Sequence, residues 1–302
     1  MIRPTQFRLN EQTAVNNYYQ TEIKNLDQSD SNARAQKEFD TMVEKLKSAG
    51  VNVVIFHDDS KGDTPDSIFP NNWVSFHENG DVALYPMFAE NRRRERREEV
   101  LDRLEENGFK IQNIVDYTQA ENEGLFLEGT GSLVLDRINR KAYCALSPRA
   151  DEELLIEFCE DFEYTPVIFT AYQTVNGERL PIYHTNVMMC VAKNFAVICS
   201  ASIDDKKERK AVQEHLKDDG KEIVEITEAQ VENFAGNMLE VEDASGNSIT
   251  VMSQSAKDSL TPGQIAVIEK YSKIVSSDIN TIETLGGGSA RCMMAEVFLP
   301  KA

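Results

Sequence analysis

What most constrains this chain is an arrangement that recurs along it. Five stretches with apolar residues at helical spacing, 33–48, 91–107, 150–162, 204–219 and 262–271, start roughly 55 to 60 residues apart. In the first, Phe39, Met42, Val43 and Leu46 share a face and Gly50 lies just past the end; in the second, Val100, Leu101 and Leu104 turn inward ahead of Gly108. Thr261 before Pro262 gives the last stretch an N-cap and a first-turn proline. Each interval is filled alike. A short β run follows the helix, as at 51–56, 109–111, 167–169 and 222–224, and then a hairpin. The hairpins pair 73–77 with 83–87 across Asn79-Gly80-Asp81, 133–135 with 142–146, 186–192 with 195–200 across Lys193-Asn194, and 238–241 with 248–252 across Ser245-Gly246-Asn247. Units this small cannot each own a core, so they must share one. The expectation is a single α/β domain over 1–302, built from five ββαβ-type pseudo-repeats around an axis. Loops of different repeats then meet at the centre, and a site should draw about one residue from each.

Charge narrows the partners. With 32 Lys+Arg against 51 Asp+Glu, the net charge of −19 argues against nucleic acid or an anionic membrane. The run Arg92-Arg93-Arg94-Glu95-Arg96-Arg97, interleaved with Glu and followed by Glu98-Glu99, is expected to be a solvated helix face. Five cysteines, an odd number without a C-x-x-C pair, suggest neither a zinc ribbon nor a disulfide framework. No metal or cofactor is expected. A reducing, cytoplasmic setting is the simplest reading, since the apolar stretch around 187–203 is broken by Lys193 and Asn194 and the N-terminus lacks a signal-peptide core.

The strongest local signal for chemistry is Gly286-Gly287-Gly288-Ser289-Ala290-Arg291-Cys292. Three glycines permit close backbone approach and deliver a cysteine at the start of an apolar strand; Cys292 is either a nucleophile or a small buried hydrophobe. No Gly-Lys-Ser/Thr follows, which argues against phosphate cradling. Cys144, Cys159, Cys190 and Cys199 belong in the core. Of four histidines, His57, His77 and His215 are expected at the surface, whereas His184 stands at the mouth of an apolar strand and is either structural or catalytic. Glu128, before Gly129-Thr130-Gly131, places a carboxylate at the end of another strand.

In order, Asp-x-x-Phe at 66–69, Glu128-Gly129, Ser147-Pro148-Arg149, His184 and the Gly-rich Cys292 resemble the guanidino-group-modifying (pentein) superfamily: arginine deiminase, dimethylarginine dimethylaminohydrolase and the amidinotransferases. The resemblance implies a five-bladed α/β propeller. It also implies Cys292 as nucleophile, His184 as catalytic histidine, Glu128 as the carboxylate that orients substrate NH groups, and Arg149 as the holder of an α-carboxylate. Thr130 and Ala150 depart from the Glu-Gly-Gly and Ser-x-Arg-Thr patterns. A thiolate would attack the planar guanidino or ureido carbon, with His184 protonating the departing amine and then activating water.

One departure bears on substrate. Asn71 and Asn72 stand where dimethylarginine hydrolases have Glu-Asp, and Asn186 where arginine deiminases have Asp. Burying a guanidinium without carboxylate partners costs several kcal/mol, whereas a neutral ureido group has no such need and an Asn amide can donate to its oxygen. Asn71-Asn72-Trp73 resembles the citrulline hydrolase branch. The expected substrate is therefore L-citrulline, bound by Asp66, Asn71, Asn72, Arg149 and Asn186, with a guanidino substrate as the alternative and a non-catalytic binding protein as the second. The segment 10–20 is the candidate lid, and a homodimer is a possible assembly.

Overall fold

A computed structural model describes residues 1–24, 26–58 and 62–301. Four three-stranded sheets share one connectivity: an antiparallel hairpin, a helix, and a third strand parallel to the hairpin's second. The first sheet joins Val74–Phe76, Asp81–Leu84 and Asn113–Asp116, and the second Leu133–Asp136, Lys141–Ala145 and Thr165–Phe169. The third joins Met189–Val191, Phe195–Ile198 and Glu222–Glu225, and the fourth Leu239–Glu242, Ser248–Ser253 and Lys273–Ser277. A fifth unit is reduced to a parallel pair, Ile2–Arg3 with Phe56–His57, connected through the helix Gln28–Ser48. Ala295, Val297 and Leu299, spaced by two, pack with Ile2 and Phe56, as an extended segment beside that pair would. The molecule is thus a mixed α/β fold of small sheets. The expected closed five-bladed propeller is not formed among the described residues.

Local chemistry sets the helix boundaries. Asp27, Asp151 and Asp205 each accept backbone N–H groups at a helix start, and Thr261 forms a capping box with Gln264. The Asp27 cap starts the first helix earlier than its apolar face indicates. The second expected helix is split into a 3₁₀ segment, Glu90–Glu95, and an α-helix, Glu98–Glu106, because the backbone of Arg96 and Arg97 is extended. Phe39, Met42, Val43 and Leu46 are buried together, each contributing roughly 1.5–3 kcal/mol. Two expected strands shift. Phe109 bridges Lys301, so the strand is Asn113–Asp116, and of 51–56 only Phe56 is laddered.

His77 is buried, contrary to expectation. Its ring stacks on Phe162 at 4.1 Å and its Nε2 lies 2.8 Å from the Ser75 hydroxyl, which meets the Tyr85 hydroxyl at 2.6 Å. Burial, with help from Arg137 and Arg140, lowers its pKa to about 3. The four cysteines assigned to the core are buried and unpaired. No helix of the described residues is long and apolar enough to cross a membrane.

Candidate active site

The turn that precedes the first strand of each hairpin carries the candidate residues. Asn71 and Asn72 lie in the 3₁₀ turn Pro70–Asn72 before Val74; Glu128 immediately precedes the turn Gly129–Ser132 before Leu133; His184 immediately precedes Thr185–Met188 before Met189. Cys292 sits in a turn closed by its own N–H to the Ser289 carbonyl, not at the start of a strand.

Two clusters result. In one, His184 Nε2 lies 2.7 Å from Glu128 Oε2. The other carboxylate oxygen accepts from Phe88 N–H at 3.0 Å, and Arg149 Nη1 stands 3.4 Å from Oε2. Burial alone would raise the Glu128 pKa, but Arg149, the His184 hydrogen bond and Arg92 hold it well below the usual carboxylate range. An ionised carboxylate only accepts, so His184 carries its proton on Nε2 and leaves Nδ1 as an acceptor. Burial outweighs the pull of Glu128 and lowers the His184 pKa to about 4, so the ring is neutral at pH 7. Nothing larger than glycine fits beside it: a Cβ on Gly131 would stand 2.8 Å from His184 Nδ1 and 2.4 Å from Asn72 Nδ2.

In the other cluster, the Sγ of Cys292, a residue 3% exposed, has two carboxamide donors: Asn186 Nδ2 at 3.5 Å and Asn237 Nδ2 at 3.3 Å. Asn186 Nδ2 also reaches the Thr130 carbonyl at 3.3 Å, which ties the two clusters together. Tyr183, next to His184, donates to the Gly287 carbonyl at 2.6 Å and fixes the Gly-rich loop.

The arginine run is not the solvated face it was expected to be. Arg92 is buried, paired with Glu95 at 2.9 Å, and donates to the Phe69 carbonyl and to Asn72 Oδ1 at 2.9 Å. Sequence reasoning missed it because its neighbours Arg93, Arg94, Arg96 and Arg97 are indeed partly or fully exposed. Asn237 was missed as well, although the one-residue-per-repeat logic points at it: it is the fourth unit's residue before the hairpin, ahead of Leu239.

Segment 10–20 lies across the site. Asn10 Nδ2 and the Thr13 hydroxyl donate to Asp66 Oδ2 at 2.8 and 3.2 Å, and Asn17 donates to the Gly286 and Gly287 carbonyls. Asn16 Oδ1 accepts from Arg149 Nε at 2.9 Å and from its Nη2, which also reaches the Thr13 carbonyl. Arg149 additionally lies over the Tyr183 ring at 4.8 Å. A cavity of about 890 Å³ whose lining includes Thr130 and Asn186 is lined by neither Cys292, His184 nor Glu128. Among the described residues, no group of three or more His, Cys, Asp or Glu is arranged to hold a metal ion.

Small α/β sheets joined by one repeated connection, with a buried cysteine, a histidine–glutamate pair and an arginine gathered on the turns between them, define the pentein class. The family model described as N,N dimethylarginine dimethylhydrolase, eukaryotic, matches residues 3–299, and the chain belongs to that family and with it to the guanidino-group-modifying superfamily. Among solved structures, apo ArgZ, an arginine dihydrolase from the ornithine-ammonia cycle in cyanobacteria, is similar with a TM-score of 0.74 at 18% identity, over 100% of this chain and 40% of that one. A mutant N-terminal domain of ArgZ bound to substrate gives 0.70 at 17% identity, over 99% and 98%. A dimethylarginine dimethylaminohydrolase adduct with S-methyl-L-thiocitrulline gives 0.60 at 15%, over 97% and 96%. These likenesses establish the fold, and the chain spans 40% of the length of full ArgZ. No curated protein matches.

Proposed function

We propose that this chain, as one catalytic domain over 1–302, hydrolyses the ureido group of L-citrulline to L-ornithine, CO2 and ammonia. The observation that carries the substrate is the orientation of Asn72. Arginine only donates, so Arg92 Nη1 at 2.9 Å fixes Oδ1 toward itself and turns Nδ2 the other way. That Nδ2 is buried, has no hydrogen-bond partner among the described residues and stands beside Gly131, next to His184. An orphaned buried donor costs about 1–3 kcal/mol until an acceptor arrives. A ureido oxygen is such an acceptor; a guanidinium, which only donates, is not.

The reaction then balances with the residues present. Cys292 Sγ attacks the ureido carbon and passes its proton to the neutral His184, which returns it to the departing nitrogen as ammonia leaves. The Nε2–H to Glu128 bond stabilises the imidazolium between those steps. Water, deprotonated by His184, cleaves the resulting S-carbamoyl intermediate; the thiol is restored and the N-carboxy-ornithine formed loses CO2. Arg149 is the proposed anchor of the α-carboxylate, which requires Asn16 and the Thr13 carbonyl to yield donors to the substrate. Asp66 and Asn71 are proposed to complete the pocket.

A guanidino substrate is the second reading, covering arginine deiminase, dimethylarginine hydrolase or amidinotransferase chemistry. It is favoured by Asp66 Oδ1, a buried carboxylate oxygen without a hydrogen-bond partner among the described residues, and by the family's description. Incubation with citrulline, arginine, methylated arginines and agmatine, followed by assay of ornithine, citrulline, putrescine and ammonia, separates these. Ornithine from citrulline supports the first reading; turnover of guanidino compounds alone selects the second. A cytoplasmic enzyme of arginine metabolism is the corresponding cellular reading.

A further inference from the structure

We infer that Asn237 is the residue that holds and polarises the nucleophile, through a carboxamide that serves both protonation states of Cys292. Its orientation is unambiguous. Oδ1 accepts the backbone N–H of Arg291 at 3.0 Å, and Nδ2 donates to the Asn186 carbonyl at 3.0 Å; the first partner can only donate and the second only accept. Cys292 Sγ lies between the two ends, 3.3 Å from Nδ2 and 3.7 Å from Oδ1. The thiol S–H therefore has Oδ1 to donate to, and the thiolate, once formed, has an N–H aimed at it. The contact to Arg291 N–H also pins the residue before the nucleophile, so one side chain sets both the loop and the sulfur.

The local backbone is built to bring Asn237 there. Phe234 adopts φ 60°, in the left-handed region that non-glycine residues rarely use. At Gly236 a Cβ would stand 2.3 Å from the Val187 carbonyl oxygen, so only glycine lets this turn lie against the turn that carries Asn186. Asn237 itself is 0% exposed. It is also the contribution of the fourth unit to a site whose first three units supply Asn72, Glu128 and His184 from the same place before the hairpin.

The inference rests on Cys292 being the nucleophile, as proposed above, but not on which substrate it attacks. The test uses Asn237→Asp, which preserves shape and the acceptor for Arg291 N–H while removing the donor to sulfur and to the Asn186 carbonyl, alongside Asn237→Ala. Two readouts are taken: kcat and KM on the turned-over substrate, and the rate at which iodoacetamide alkylates Cys292 in substrate-free protein, mapped by peptide mass. In Asn237→Asp, kcat should fall roughly 100-fold or more with KM within about twofold, and alkylation should slow at least about tenfold. Unchanged alkylation in the Asp variant, or a loss confined to KM, overturns the assignment. The alkylation arm needs no substrate, so it decides the role of Asn237 even if citrulline is not turned over. If Asn237→Ala fails to fold, the isosteric variant still decides.

Discussion

Arg92 and Asn72 form a donor–acceptor pair, 2.9 Å from Nη1 to Oδ1, that dictates which end of the Asn72 amide faces the site. Removing the amide's freedom to flip converts an ambivalent side chain into a fixed donor. The arginine is itself locked by Glu95 and the Phe69 carbonyl, so the polarity of the pocket wall is set by groups that a substrate does not need to touch.

Cys292→Ala should abolish turnover and leave the melting temperature within a few degrees of wild type, because the thiol's hydrogen bonds are long ones to two carboxamides and alanine keeps the Cβ in its buried cluster. Activity above a few per cent of wild type would rule out the covalent route. With a slow substrate, acid quench and intact-mass analysis should place an adduct on Cys292 and on none of the other four cysteines.

Gly131→Ala should lower kcat at least about 100-fold. The new methyl would have to displace Asn72 Nδ2, at 2.4 Å, and His184, at 2.8 Å, and overpacking of this kind costs about 1–3 kcal/mol. Thermal denaturation should show a modest loss of stability, and a variant with wild-type kcat would show that neither neighbour matters to the chemistry.

Acid should remove the stability that two buried, neutral histidines contribute. His77 and His184 have native pKa values lowered to about 3 and about 4, against roughly 6.5 when unfolded. Between those values the unfolded chain binds protons that the native state excludes, so stability is present above about pH 6.5 and falls as the pH drops. Each residue should cost about 2 kcal/mol between pH 7 and pH 5. Melting curves at the two pH values test this: His77→Gln, remote from the site, should keep activity and shrink the difference by about that amount. An unchanged difference would mean that His77 is not buried neutral.

The repeat pattern made most of this fold legible. The helix faces around Phe39–Leu46 and Val100–Leu104 and the four hairpins followed from periodicity and turn residues, because each is decided locally. The second helix was misjudged where extended residues 96–97 interrupt it, and the strand at Asn113–Asp116 was hidden because Phe109, the more apolar candidate, is used against the C-terminal segment instead. Cys292, His184 and Glu128 stood out by their glycine-flanked or strand-end settings, and the family resemblance made them the candidates. The partner of Glu128 was not legible: its carboxylate bonds His184, 56 residues further along the chain. Arg92, Asn237 and the burial of His77 depend on contacts between residues far apart in sequence, which no local spacing displays.

Arg149→Ala should raise KM for an amino-acid substrate strongly, since a charge-assisted pair with the α-carboxylate is lost. Carbamoylputrescine, which lacks that carboxylate, should be affected little. Equal losses on both would assign Arg149 to holding Glu128 and the 10–20 segment in place.

The most direct test of the account is the ratio of kcat/KM for citrulline to that for arginine, measured in wild type and in Asn72→Asp. The substitution keeps the acceptor that Arg92 needs and replaces the donor facing the pocket by a carboxylate oxygen. Wild type should favour citrulline, and the variant should lose at least about tenfold on citrulline while gaining on arginine, whose cation acquires a carboxylate partner. A wild type that prefers arginine, or a variant that loses equally on both, would contradict the neutral-substrate account.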